Sequence, residues 1–150
     1  MPYLIDANNL AGKLHLLSET DWDQELIDIV KDYFIAREQK AILVFDSNDP
    51  LGDRYTDGNI TVIYTPRDVL YNNADDKIIE LMKNEKRPED WIVVSDDLNI
   101  IHEAGKLDIE VILARDFAKK IVPSVEVDDE DELSEREEDE ITDELSNEWN

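Results

Sequence analysis

The chain has 150 residues, 41% of them hydrophobic, with 39 acidic against 15 basic residues and a formal net charge of -24. That length and apolar content suit one domain with a sizeable core, and the lack of cysteine excludes disulfides and thiolate metal sites. The acidity argues against broad electrostatic attraction to nucleic acid, but not against an enzyme whose metal ions and few local cations meet the phosphate.

The first element is the apolar run Tyr3-Leu4-Ile5, which ends abruptly in Asp6 and reads as a buried strand emerging at a sheet edge. Asn8 and Asn9 follow, residues that tolerate tight turns, and the piece from Leu10 past Gly12 and Lys13 reads as a linker. Asp21 with Gln24 resembles a capping pair for a helix running to about Arg37, with Trp22, Leu26, Ile29, Val30, Tyr33 and Phe34 on its apolar face. Ala41 to Phe45 is the second strand, again ending in Asp (Asp46). Residues 48–53 are dense in turn formers and read as a loop. Ile60 to Tyr64 is a β-branched third strand stopped by Pro66.

A second helix is expected from near Asn73, with Ala74, Ile78, Leu81 and Met82 as its apolar face, ending before Pro88. Trp91 to Val94 forms a fourth strand followed by Ser95, Asp96 and Asp97. Leu98 to Ala104 is a short helix with Gly105 as its stop signal. Glu110 to Ala114 is the fifth strand, before a short helix around Phe117. From Val125 onward there are 14 acidic residues and one basic, a net of -13 that leaves -11 for residues 1–124. The division is therefore a domain over 1–124 and an acidic, disordered tail over 125–150. Within the tail Ile141, Leu145 and Trp149 recur at helical spacing, a stripe suited to a basic protein partner. No stretch approaches a membrane span and the N-terminus lacks a signal pattern, so a soluble cytoplasmic protein is expected.

Strands alternating with helices predict an α/β fold, an open and mainly parallel sheet of about five strands with helices on both faces. In such sheets sites lie at the carboxyl ends of the strands. Asp6, Asp46 and Asp96 fall at such ends, and Asp75 and Asp76 fall at a helix start. Each carboxylate alone is accounted for by capping or turn formation. Asp6, Asp75, Asp76, Asp96 and Asp97 meeting at one sheet end would repel one another unless a cation sat among them. Oxygen donors without Cys or clustered His suit Mg²⁺ or Mn²⁺, and phosphodiester hydrolysis is the chemistry such an ion serves. His15 and His102 are isolated and read as structural. Lys13, Arg54, Arg67 and Lys77 each follow a strand end or start a helix near the expected site, so they are the candidate phosphate contacts.

The run Leu4-Ile5-Asp6-Ala7-Asn8-Asn9-Leu10 resembles the opening motif of NYN domains, a branch of the PIN-like nucleases that includes the YacP-like ribonucleases. The likeness continues in order through Val44-Phe45-Asp46, Ala74-Asp75-Asp76-Lys77-Ile78, Val93-Val94-Ser95-Asp96-Asp97 and Ala114-Arg115-Asp116-Phe117. It spans residues 3–118. The resemblance implies a PIN-like, Rossmann-like fold and a divalent-metal-dependent endoribonuclease acting on RNA, single-stranded by expectation. By position it implies metal binding by Asp6, Asp75 and Asp96, support of the metal or water by Asp76, and an Asn9 that holds Asp6 or substrate. Ala7 stands where the family pattern has Gly. The alternative is a catalytically weak PIN-like module that binds RNA or protein through its tail. A haloacid-dehalogenase-type phosphatase fits less well, because it wants an Asp where Asn8 stands.

Overall fold

The computed structural model describes residues 1–46, 53–65 and 74–124. The chain runs β1 (Tyr3–Asp6), α1 (Ala7–Lys13), α2 (Trp22–Ala36), β2 (Ala41–Phe45), β3 (Asp53–Asp57), β4 (Ile60–Tyr64) and α3 (Ala74–Lys83). It continues through a 3-10 turn (Pro88–Asp90), β5 (Ile92–Val94), α4 (Leu98–Lys106), β6 (Glu110–Ile112) and α5 (Ala114–Ile121). The fold is α/β, with one sheet in the order β3-β4-β2-β1-β5-β6. All neighbours pair in parallel except β3 with β4.

The period of two along each strand divides the apolar residues between two cores. Tyr3, Ile5, Leu43, Phe45, Val62 and Val94 face α1, α2 and α5, where Leu10, Leu26, Val30, Phe34 and Phe117 meet them. Leu4, Val44 and Val93 face α3 and α4, packing on Ile78, Met82, Ile100 and Ala104. Both faces of the sheet are thus covered, which is why the parallel strands read as unbroken apolar runs. The chain winds from β1 outward through β2 and β4, then returns to β5 and β6 on the other side of β1. The winding reverses between β1 and β5, so the crevice at their carboxyl ends is the expected binding position.

Four local expectations need correcting. The turn expected at Asn8 and Asn9 and the linker expected from Leu10 past Lys13 are instead one helix, Ala7–Lys13. Asp6 is its N-cap, and the burial of Ala7, Leu10 and Ala11 holds it in place despite the poor helix formers Asn8, Asn9 and Gly12. Ala7, at the first helical position, needs no glycine freedom there. A sixth strand, β3, lies on the sheet edge and returns into β4 through Gly58, whose φ of 63° suits only a residue free to enter the left-handed region. Asp21 precedes α2 but has a left-handed backbone (φ 59°) and makes no side-chain cap bond, while Gln24 donates to Asp28 instead. Gly105 sits inside the last turn of α4. The left-handed stop position is Asp108 (φ 60°), after which Ile109 N–H reaches back to Ala104 O at 2.9 Å. Beyond these, β6 ends at Ile112, and Ala114 opens α5. The loop expected at 48–53 falls mostly, and the acidic tail over 125–150 wholly, outside the described residues. No helix among the described residues is long and apolar enough to cross a membrane.

Candidate active site

Two adjacent asparagines at the start of α1 tie three strand ends together. Asn8 Oδ1 accepts the Asp46 N–H, just beyond β2, at 2.9 Å. Asn9 Oδ1 accepts the Asp96 N–H, just beyond β5, at 2.7 Å. Because β1 lies between β2 and β5, one turn of helix fixes the carboxyl ends of all three. The sequence expectation gave Asn9 to Asp6 or to substrate. Its backbone N–H does approach Asp6 Oδ1 at 3.5 Å, but its side chain is committed to the backbone of Asp96.

Asp6 is 5% exposed. Its Oδ2 accepts a 3.0 Å hydrogen bond from Ser95 Oγ, and Ser95 Oγ in turn accepts the Asp97 N–H at 3.0 Å. Burial pushes the Asp6 carboxyl up to about 6. The Ser95 and Asn9 hydrogen bonds pull it down, while the charges of Asp46 and Asp97 push it up. Asp75, in the first turn of α3, is pushed up to about 7 by burial, by the charge of Asp6, and by a hydrogen bond to Asp97 that favours its protonated form. Asp97 caps α4 through Ile100 N–H at 3.0 Å, and Asp96 Oδ1 caps α5 through Ala114 N–H at 2.8 Å. Asp97 thus has the capping role expected at Leu98, whereas Asp96 serves the next helix, α5, and both roles coexist with a shared cleft. Asp6, Asn8, Asn9, Asp46, Asp75, Asp96 and Asp97 line an open cleft of about 340 Å³ at the switch point.

The sequence profile of the YacP-like NYN domain matches residues 3–150. The chain belongs to that family. The match runs on through the acidic stretch that the sequence sets apart as a tail. Two crystal structures of Rae1 (YacP) from Bacillus subtilis share the fold of this NYN domain. One superposes with a TM-score of 0.63 at 21% identity, covering 97% of this chain and 83% of the other. The second, of a tryptophan-to-leucine mutant, gives 0.62 at 20% identity, covering 80% and 74%. A search of curated proteins gives no match. Family membership implies a nuclease-type role in RNA processing.

Within this NYN domain the structure brings Asp6, Asn9, Asp75 and Asp96 to one cleft, whereas Asp76 is not among its lining residues. Asp46 lines it instead, and Asn8 and Ser95 support it. Lys13 Nζ lies 3.6 Å from Asp96 Oδ2, at the edge of the cleft. Lys77 Nζ pairs with Glu80 at 3.0 Å. Arg54 sits on the edge strand opposite Ile63, at the same end of the sheet but three strands from β1. Arg67 lies outside the described residues. Ser95 stood in a quoted motif, but its role was not readable there because it depends on Asp6, 89 residues away in the chain. Ser95→Ala removes a donor from a buried carboxylate and an acceptor from Asp97 N–H, and is expected to cost about 1–3 kcal/mol by chemical denaturation. Because the lost donor favoured the charged form, it should also raise the Asp6 titration, read by carboxyl NMR shifts.

Proposed function

We propose that this NYN domain is a divalent-metal-dependent endoribonuclease that hydrolyses RNA phosphodiester bonds in the acidic cleft. The observation that carries the reading is the position of Asp6, a buried carboxylate with Asp75, Asp96 and Asp97 around it at the switch point of the sheet. The donor set is carboxylate and carboxamide oxygen, which suits Mg²⁺ or Mn²⁺. Among the described residues no three carboxylates converge tightly enough to enclose an ion. Mg²⁺ keeps several waters and takes one or two protein carboxylates, so a cleft of this openness fits it. In this reading Asp6, Asp75 and Asp96 would hold the ion, one or two of them directly and the rest through its waters, with Asp76 supporting them from the first turn of α3. A bound ion would lower the pKa of a water and stabilise charge on the phosphate.

The chain's own part is positioning. Asn9 fixes Asp96 through its backbone, Ser95 fixes Asp6, and Asp97 takes the hydrogen bond of Asp75. Asp75 must release its proton to act as a ligand, so ion affinity is expected to rise as pH passes about 7. The unconverged carboxylates favour one second reading, a binding module without turnover. Cleavage of labelled single-stranded RNA, single-stranded DNA and duplex DNA, each with Mn²⁺, Mg²⁺ or EDTA, separates the two. Internal cuts in RNA alone, abolished by EDTA, support the ribonuclease. RNA bound but intact in all three conditions supports the module.

A further inference from the structure

Beside the acidic cleft runs a second groove, of about 370 Å³, with a different chemistry. Its two borders with the cleft are Asn9 and Asp96, which line both. Its polar wall carries two cations, Lys13 at the end of α1 and Arg115 in the first turn of α5. Its apolar wall is Leu98, Ile101 and Leu113. Leu98 is 81% exposed. A lone exposed leucine needs no explanation, but this one shares its groove with two further aliphatic side chains and two cations.

We propose that this groove is a nucleotide subsite, holding the residue of single-stranded RNA next to the scissile phosphate. The proposal rests on the ribonuclease reading above and adds the path of the substrate to it. Charge selects this side of the cleft. Residues 1–124 carry a net of -11, and the cleft itself is lined by carboxylates and carboxamides. Of the other candidate cations among the described residues, Lys77 is drawn to Glu80 and Arg54 lies three strands away. A polyanion leaving the cleft meets Lys13 and Arg115 here. The Arg115 guanidinium can meet a phosphate with two parallel N–H bonds, which a lysine cannot. The aliphatic wall offers apolar surface to the adjoining base, a non-directional contact that any base can make.

The spacing between groove and cleft is also fixed. Asp96 Oδ1 holds the Ala114 N–H at 2.8 Å, so the residue just before Arg115 is anchored on a carboxylate of the cleft. Lys13 reaches the other oxygen of the same carboxylate at 3.6 Å. Asp96 is thus the hinge between where the phosphate is cut and where its neighbour is gripped.

The test uses the full chain and a fluorescein-labelled single-stranded RNA oligonucleotide. Binding is followed by anisotropy across a salt series, in EDTA and in Mg²⁺, and cleavage is followed in parallel. Arg115→Ala is expected to weaken binding roughly ten-fold at low salt and to flatten the plot of log K against log salt by about 0.7, the value of one lost phosphate contact on a single strand. Leu98→Ala, on an exposed side chain that folding does not need, is expected to weaken binding roughly three-fold with no change of slope. Both should raise KM for cleavage more than they lower kcat. If the wild type cleaves RNA and both variants bind it with unchanged affinity and slope, the subsite is wrong and the ribonuclease reading stands. If the wild type binds RNA without cutting it, turnover is lost as an explanation and the two variants still decide the groove. If the wild type neither binds nor cuts RNA, both readings fall together.

Discussion

Asp6→Asn and Asp96→Asn are each expected to lower the rate of RNA cleavage by about a thousand-fold, equivalent to about 4 kcal/mol of activation free energy, while leaving the fold intact. The fold should survive because asparagine keeps one acceptor oxygen, and at position 6 its amide N–H can donate to Ser95 Oγ in place of the bond that Asp6 Oδ2 now accepts. Asn at position 6 can still cap α1, and Asn at position 96 can still take the Ala114 N–H that Asp96 Oδ1 now accepts at 2.8 Å. What each variant removes is a negative charge at the cleft, and with it a hard-cation ligand. Circular dichroism and melting in EDTA report the fold; single-turnover cleavage with Mn²⁺ reports the chemistry. Full activity in both variants would mean that this cleft does not cut RNA.

A pH-dependent loss of stability without divalent ions is the second large effect expected. Burial holds the Asp6 carboxyl at about 6, against an ordinary value of 3.8. Between those two values the native state keeps a proton that the unfolded chain has lost, so stability falls as pH rises. The loss starts near pH 4, grows through pH 6 and levels off at about 3 kcal/mol near pH 7. Asp75 acts in the same direction up to about 7, with solvent screening reducing its share. In EDTA, Asp6→Asn should melt with the wild type near pH 4 and about 10 °C above it at pH 7. Mg²⁺ or Mn²⁺ should restore much of the wild type's deficit, since an ion that binds only the native state stabilises it. Parallel melting curves for the two proteins from pH 4 to pH 7 would show that Asp6 carries no buried charge to relieve.

The parallel core strands were legible because strands covered on both faces have no polar alternation, and three of them, β1, β2 and β5, run into a visible Asp. That pattern located Asp6, Asp46 and Asp96 at one end of the sheet before any contact was known. The strand β3 was not legible by the same logic. Asp53-Arg54-Tyr55-Thr56-Asp57 is exposed along almost all its length, so it has no apolar signal to show, although Asp57-Gly58 ahead of a β-branched run is a hairpin signature. Helix α1 was hidden by its own composition. Its N-cap is local, but the burial of three side chains that holds it in place is a tertiary property. Among the site residues, the acids announced themselves by position. Asn8 and Ser95 stood inside quoted motifs without a readable role, because each bonds an element distant in the chain.

The central claim, that the acidic cleft is a divalent-cation site, is tested most directly by calorimetric titration of Mn²⁺ into the full chain at pH 7.5, beside Asp6→Asn and Asp96→Asn. The expected result is saturable binding by the wild type, with proton release as Asp75 deprotonates, and loss of that binding in both variants. Equal Mn²⁺ binding by all three proteins, or none by the wild type at millimolar ion, would contradict it.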